Sequence, residues 1–588
     1  MTRKNRATDQ ERGCSFYINI MKKFRWQLLT ILITGLIVGI LLILQQIEDD
    51  VEVVSTPSPI SGGIYTEAKV GSFMRLNPFL SVYNPPDQDV SRLLFNGLIR
   101  FDSRGIPQAD LAESWGVSFD GTVYNFSLRD DVFWHDGEIF DSSDVLFSID
   151  FLKSNHPLIS EDLQNFWSQV EVVVLSETQM QFLLPEPFAP FLDYLTFGII
   201  PEHLLGGLSL EEMIDHPFNL APVGTGPFRF QRLLVDNEQI IGVVLEAFDA
   251  YYLGRPYLDE FIFRYYPDSQ KALDAFRSGE VEGIACVYDS ILSEVLKEPE
   301  LSIFTVRAPL LSIVYLNLNN PEVSFLQEPE FRQALMTAIN RSRIVDEVFQ
   351  GQAVMANGPI MPGTWAYYDG LESIRYDPIE AQRLFEATGA VQDEETGLHV
   401  TDNGQEIAIT LQHPSTEMHT QIAKMIKSDW ESLGLQVELN AKPYESVLAD
   451  LEAREYQVAL VEINLMRSPD PDPYPFWGQA QTLSGQNYAD WDNRSASEFL
   501  EQARMTVDMG ERERLYRNFQ VMFNREMPSL PLFYSTYTYA ISSDINGIVL
   551  GPIFEPGDRF QNVHEWFILT GRDLNTVTTK EAPVVIEE

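Results

Sequence analysis

Two periodicities alternate along this chain and place most of its elements. Two-residue alternation runs through 115–128, where Asp120-Gly121 sits between the alternating segments and marks a hairpin turn. It recurs at 171–175 and 179–184 and stops at Pro185, Pro187 and Pro190. Residues 133–139 (FWHDGEI) add a strand and turn, and 240–247, 260–266, 310–319 and 530–539 read as strands. The whole of 64–128 reads mostly as strands and loops. Helical spacing appears at Val145, Leu146, Ile149 and Leu152, behind the capping run Asp141-Ser142-Ser143-Asp144. Phe331, Ala334, Leu335, Ala338 and Ile339 share one helical face, and Ile344, Val345, Val348 and Phe349 follow up to Gly351. Further helices are predicted at 270–278 (closed by Gly279), 380–388 (ending at Gly389), 496–503 and 511–523. A strand at 407–412, a helix at 417–433 and a strand at 435–439 form a βαβ unit, which implies a parallel pair in an α/β lobe.

Two stretches break these patterns. Residues 26–47 run for 22 positions without a charge, long enough to cross a bilayer as a helix. Arg3, Lys4, Arg6, Arg12, Lys22, Lys23 and Arg25 precede it, and Glu48, Asp49, Asp50 and Glu52 follow. The positive-inside rule then puts 1–25 in the cytoplasm and the rest outside. The run exceeds the apolar core of a cleaved signal, about 7–15 residues, and no Ala-x-Ala follows, so an uncleaved anchor is predicted. Residues 48–63 are a short acidic, then Pro/Ser/Gly-rich linker, and 573–588 a polar tail. The second stretch is 221–230 (APVGTGPFRF), where Gly224, Gly226 and Pro227 demand a fixed tight loop. It is read as a rigid crossing between lobes.

At 588 residues the chain exceeds one core, and roughly 150 residues per domain suggests three or four. A net charge of −45 argues against nucleic acid and against the body lying on an anionic membrane. The two cysteines, Cys14 and Cys286, fall on opposite sides of the predicted membrane and cannot pair. No Cys or His spacing marks a metal site, and no cofactor is expected.

Several motifs, in order, resemble the extracytoplasmic solute-binding proteins of ABC importers, family 5, the dipeptide/oligopeptide/nickel-binding type. They are LLFNGLIRFDSRGIPQADLAESW (93–115), FWHDGEIFDSSDVLFS (133–148), PVGTGPF (222–228), YLNLNN (315–320), FRQALMTAINRSRIVDEVFQGQA (331–353) and MPSLPLFY (527–534). The resemblance covers roughly 62–570. It implies an α/β, two-lobed periplasmic-binding-protein-like fold of the class II type with an extra subdomain, here preceded by one transmembrane helix. The implied map is lobe I at 64–102, 221–312 and 537–572, its extra subdomain at 103–220, and lobe II at 313–536. The implied function is capture of a small polar solute, a peptide, oligosaccharide or similar, between closing lobes and its delivery to ABC permease subunits. The protein would act as a monomer on the outer face of the cytoplasmic membrane.

In the family's peptide binders an aspartate in lobe II holds the peptide amine. The matching stretch is 461–477 (VEINLMRSPDPDPYPFW); alignment on Asp472-Pro473 puts Pro469 at that place, and Asp470 reaches it only through a one-residue slip. The candidates for solute contact here are Asn464, Arg467, Asp470, Asp472, Tyr474 and Trp477; the bland alternative is a stiff proline-rich loop whose acids cap turns. Carboxylates and amides beside aromatic faces suit cationic or polyhydroxylated solutes. The resemblance adds Asn77 and Tyr83 in an early loop, with Trp365 and Tyr488 as stacking faces and His413 at a strand end. Single aromatics are more often core than contact, and Trp134 is read as structural. Two other classes compete. A hydrolase would use paired acids such as Asp470/Asp472 or Asp130/Asp131, yet neither Gly-x-Ser-x-Gly nor His-Glu-x-x-His occurs. A membrane-tethered sensor ectodomain would use the same fold, but 25 cytoplasmic residues are too few for a signalling domain.

Overall fold

Strands set the frame. In chain order they are β1 (Ile64–Val70), β2 (Ala112–Val117), β3 (Val123–Leu128), β4 (Glu171–Ser176), β5 (Gln179–Leu183), β6 (Phe228–Asp236), β7 (Gln239–Ala247), β8 (Glu260–Tyr266), β9 (Gly283–Ile284), β10 (Leu301–Leu316), β11 (Ala353–Met355), β12 (Ala408–Pro414), β13 (Gln436–Lys442), β14 (Val458–Asn464) and β15 (Ser529–Ser542). The computed structural model describes residues 59–154, 157–392, 399–400, 407–466 and 469–569, with Thr34 and Leu36. The predicted membrane segment, apart from Thr34 and Leu36, lies outside the described residues, as do the cytoplasmic arm, most of the linker, the tail and Arg467. No helix among the described residues is long and apolar enough to cross a membrane. Residues 60–569 form one unit.

An eleven-stranded sheet runs β13-β12-β14-β10-β15-β9-β1-β8-β7-β6, with β11 added on β15. Two long antiparallel strands tie its halves together. β10 pairs β15 from Leu301↔Ser542 to Tyr315↔Ser529, with a register slip between Arg307 and Leu311. One end of this ribbon packs in the first half, where Tyr539 and Ile541 join the core of Tyr65, Phe228 and Phe261. The other end belongs to the second half. There Val314 and Leu316 face a core with Trp430, while Leu311, Ile313 and Tyr315 face another with Trp477 and Tyr534. A strand buried on both faces reads as a continuous apolar run, which explains LLSIVYL. It begins at Leu301, nine positions before the residue where its apolar run becomes legible.

The predicted βαβ unit is present: β12 and β13 pair in parallel around the helix Glu417–Glu431. The smaller four-stranded sheet, β2-β3-β5-β4, is antiparallel, and Asp120 ties its first turn through Ser118 and Thr122. Asp141 caps the helix Ser142–Leu152 with a full capping box through Asp144. One expectation is corrected. Residues 85–94, in a stretch read mostly as strands and loops, form helix α1 (Pro85–Leu94), since Pro85 and Pro86 occupy its first turn, where no amide hydrogen is needed.

Residues 221–227 do not cross between the halves of the large sheet; they carry the chain from the small-sheet region to the edge strand β6. Gly224 and Gly226 press on the end of α1, where a Cβ on either would collide with the carbonyls of Leu94 and Leu93. His135 grips the loop from the other side: its Nδ1 accepts the Gly224 amide at 3.1 Å and its Nε2 meets the Gly226 carbonyl at 3.1 Å. Burial pushes the His135 ring down to about 4, so it stays neutral.

Candidate functional site

A cavity of about 720 Å³ opens between residues of the two halves. The first half contributes Tyr83, Phe188, Asp193, Tyr194 and Phe197, and the second contributes Asn464, Asp470, Asp472 and Arg504. Two helices of the second half supply the cations that meet Asp470 and Asp472: α2 (Arg494–Met505), capped by Asn493, and α3 (Met509–Glu526), capped by Asp508. Leu515, Phe519 and Phe523 form the buried stripe of α3, and Arg512 lies on the same face, one turn before Tyr516.

Asp470 sits in a bidentate ion pair with Arg512, 2.6 Å to Nη1 and 2.8 Å to Nη2, with both side chains under a tenth exposed. Arg512 also donates to the Ala503 carbonyl at 3.0 Å and the Tyr516 hydroxyl at 3.0 Å, and its guanidinium lies 5.0 Å from the Trp365 ring centre. Burial works against that charge, but Asp470 overrides it and holds the guanidinium firmly protonated. The Asp470 amide in turn donates to the Asp193 carboxyl of the first half at 3.2 Å.

Asp193 lies within the turn Ala189–Leu195 as the lone acid of an apolar run, FAPFLDYLTF (188–197). Burial and the Asp470 charge beside it hold its carboxyl well above the usual range. Asp472 faces Arg504 at 3.1 Å through Oδ2, while its Oδ1 is buried with no hydrogen-bond partner. Burial first, and Asp470 after Arg504's opposing pull, push it up to about 6. Arg504 lies between two rings, 5.1 Å from Phe188 of the first half and 4.7 Å from Tyr474 of the second. The cluster therefore holds three acids against two guanidiniums.

The structure brings Asn464, Asp470, Asp472 and Tyr83 to the cavity wall. Tyr474 stands behind Arg504. The others lie elsewhere. Trp477 is 1% exposed in the second-half core, stacked 5.8 Å from Tyr315. Tyr488 packs beside Tyr315 and under Arg454. Trp365 covers Arg512 from behind. Asn77 is fully buried and bonded to Asn219, its Oδ1 accepting the Phe79 amide. His413 is buried, with Nδ1 on the Pro414 carbonyl. Sequence reasoning missed Asp193, Arg504 and Arg512. The available signals were an acid inside an apolar run and an arginine in phase with a buried helical stripe.

Comparison with known proteins places this geometry. The model of the bacterial extracellular solute-binding proteins, family 5, matches residues 107–485. The dipeptide-binding protein of Escherichia coli is 28% identical over 516 residues, covering 84% of this chain and 93% of that one. Among solved structures, HbpA2 of Haemophilus parasuis superposes with a TM-score of 0.75 at 22% identity, over 86% of this chain and all of the other. The oligopeptide-binding protein AppA of Bacillus subtilis, in complex with a nonapeptide, gives 0.62 at 22% identity, over 87% of this chain and all of the other. These likenesses establish a two-lobed periplasmic-binding-protein-like α/β fold. The chain belongs to the bacterial extracellular solute-binding proteins of family 5, and its work is solute binding rather than catalysis.

Proposed function

We propose that this chain is the receptor of an ABC importer for a small solute bearing a primary ammonium, a short peptide being the leading class. The observation that carries the reading is the charge count of the Asp193, Asp470 and Asp472 cluster. Arg512 satisfies Asp470 and Arg504 meets one oxygen of Asp472, which leaves Asp193 and the second Asp472 oxygen without a cation. An ammonium group has three donors and one charge, and it supplies what the cluster lacks. A neutral oligosaccharide would leave the extra acid unmatched. The name of the Escherichia coli relative, a dipeptide-binding protein, supports the same class.

In this reading Asp470 does not take the amine itself. It positions the site, because its carboxylate is committed to Arg512 and its amide to Asp193. Lobe I comprises 64–102, 221–312 and 537–572 with the subdomain 103–220, and lobe II is 313–536. The β10–β15 ribbon is the hinge between them, and its register slip at Arg307–Leu311 is where the strands bend. Residues 26–47 anchor a monomer at the outer face of the cytoplasmic membrane, where it passes solute to permease subunits.

Native mass spectrometry of the full chain released from detergent, with bound solute identified, tests this. A peptide or other amine-bearing solute is expected. A neutral sugar would overturn the reading.

A further inference from the structure

A second cavity lies at the other end of β14. Asn464, the last residue of that strand, stands on the wall of the first cavity, while Tyr456 and Gln457, just before its start, line a crevice of about 520 Å³. The seven residues of the strand set the two roughly 20 Å apart. The buried donors of the crevice are engaged. Asn317 gives its side-chain amide to the carbonyls of Arg454 at 3.1 Å and Tyr456 at 2.9 Å. Asn320 donates to the Tyr456 carbonyl at 2.9 Å, and Gln457 to Glu322 at 2.9 Å. The Arg454 guanidinium meets Asp490 at 3.3 Å and the carbonyls of Thr482, Gly485 and Asn487. Tying down the turn 454–457 accounts for these bonds, but it does not account for Gln412 on β12. That side chain lines the crevice and is 6% exposed. Its Nε2 reaches the Glu455 carbonyl at 3.4 Å, and its Oε1 is buried with no hydrogen-bond partner. A buried acceptor left unmet is costly, and a donor carried by a ligand removes the cost.

We infer that this crevice is a second binding site and that its ligand is a linear polyamine. What the wall still offers is acceptors: Gln412 Oε1, and the carboxylates of Glu322 and Asp490, each with one oxygen engaged among the described residues. Three carboxylates on the lining, those of Glu322, Glu455 and Asp490, share one guanidinium, that of Arg454. The occupant therefore has to donate and to carry positive charge. A sugar donates without the charge. A metal ion has the charge, but no three His, Cys, Asp or Glu side chains among the described residues converge to hold one, and the crevice is far larger than an ion. A chain of ammonium groups supplies several N–H donors together with the charge, and the −45 of the whole protein draws it in. The site is independent of the ammonium reading of the first cavity, with which it shares no lining residue.

The test titrates spermidine into the full chain in detergent at physiological ionic strength, read by calorimetry. Gln412→Met keeps the side-chain length and removes the acceptor; it should weaken spermidine about tenfold. Glu322→Gln, on the exposed rim, should weaken it about threefold and leave the fold alone. Asp472→Asn removes any spermidine held in the first cavity and should leave the Gln412-dependent site within twofold of native. Neither maltotriose nor equimolar magnesium should displace the ligand. No binding by the native protein, native affinity in Gln412→Met, or loss of all binding in Asp472→Asn overturns the site. Displacement by maltotriose or by magnesium overturns the polyamine. An unchanged melting temperature is the control for Gln412→Met; if that variant unfolds, native affinity in Glu322→Gln overturns the site instead. Capture of a pool of short peptides should be the same in Gln412→Met as in the native protein, so the first cavity is judged separately.

Discussion

Two buried clusters in this molecule each set acids against cations and do opposite things. In the first half, Lys69 and Arg559 face Glu67 and Asp89: Arg559 lies 2.5 Å from Glu67 and 2.8 Å from Asp89, and Lys69 closes on Asp89. Tyr65 and Tyr539 share a hydrogen bond of 2.7 Å and both reach Glu67, so the crossing strand β15 is tied to β1. Two cations meet two anions. At the cavity, three acids meet two arginines, and the imbalance sits against open space. The lesson concerns stoichiometry rather than burial. A balanced buried network holds structure together, whereas an unbalanced one must keep a proton or wait for a ligand.

The sharpest way to break the comparison is to unbalance the balanced cluster. Arg559→Met leaves Glu67 and Asp89 against Lys69 alone and should lose about 3–5 kcal/mol in urea unfolding, as breaking one side of a buried pair does. Asp470→Ala strands Arg512 in the same way and should cost a similar amount. A loss below about 1 kcal/mol in either would show the pairs to be dispensable.

The next effect is pH-dependent. Asp472 rises from the ordinary 3.8 to about 6, so the folded protein holds a proton there that the unfolded chain has lost. The stability this contributes is complete below pH 4 and disappears as pH rises through about 6, roughly 2–3 kcal/mol in all. Asp472→Asn should flatten that slope in the empty protein. Affinity for an amine-bearing solute should run the other way and tighten as the pH rises through about 6, because the carboxylate must ionise to meet the ammonium.

Smaller still is Asp193→Asn, which removes the surplus acid while an amide oxygen can still accept the Asp470 N–H. It should raise the stability of the empty protein at pH 7 by about 1–2 kcal/mol, because burial forces that carboxyl to keep a proton the unfolded chain releases, and weaken solute binding at least tenfold. Loss of stability instead would mean that Asp193 is part of the structure. The smallest expected change lies outside both clusters. His135→Gln should cost about 1 kcal/mol through its hydrogen bonds to the loop. Native His135 ionises only near pH 4, so stability from its neutral ring is full above pH 6.5 and lost as pH falls toward 4. The variant should lack that acid sensitivity.

Local features of this fold were legible in the sequence where neighbours in the chain decide the conformation. Asp120-Gly121 makes its turn, Asp141 caps its helix, and the βαβ unit pairs in parallel. Helix α1 was hidden because Pro85-Pro86 is as common a loop signal as a helix start, and only the residues packed beneath it distinguish the two. Residue type alone also could not separate cavity from core. Trp477 and Asp472 stand five positions apart on one segment, one stacked on Tyr315 and the other at the cavity wall.

By itself the sequence determined the α/β class, the family and the acidic loop that reaches the site, because these depend on periodicity, turn chemistry and motif order. The tertiary structure alone decided which acids are matched. Asp193 stands 277 residues before the Asp470 amide that it accepts, and Arg512 stands 42 residues after the carboxylate that it neutralises. Charge balance is a sum over groups brought together by folding, and separation along the chain carries no information about that sum.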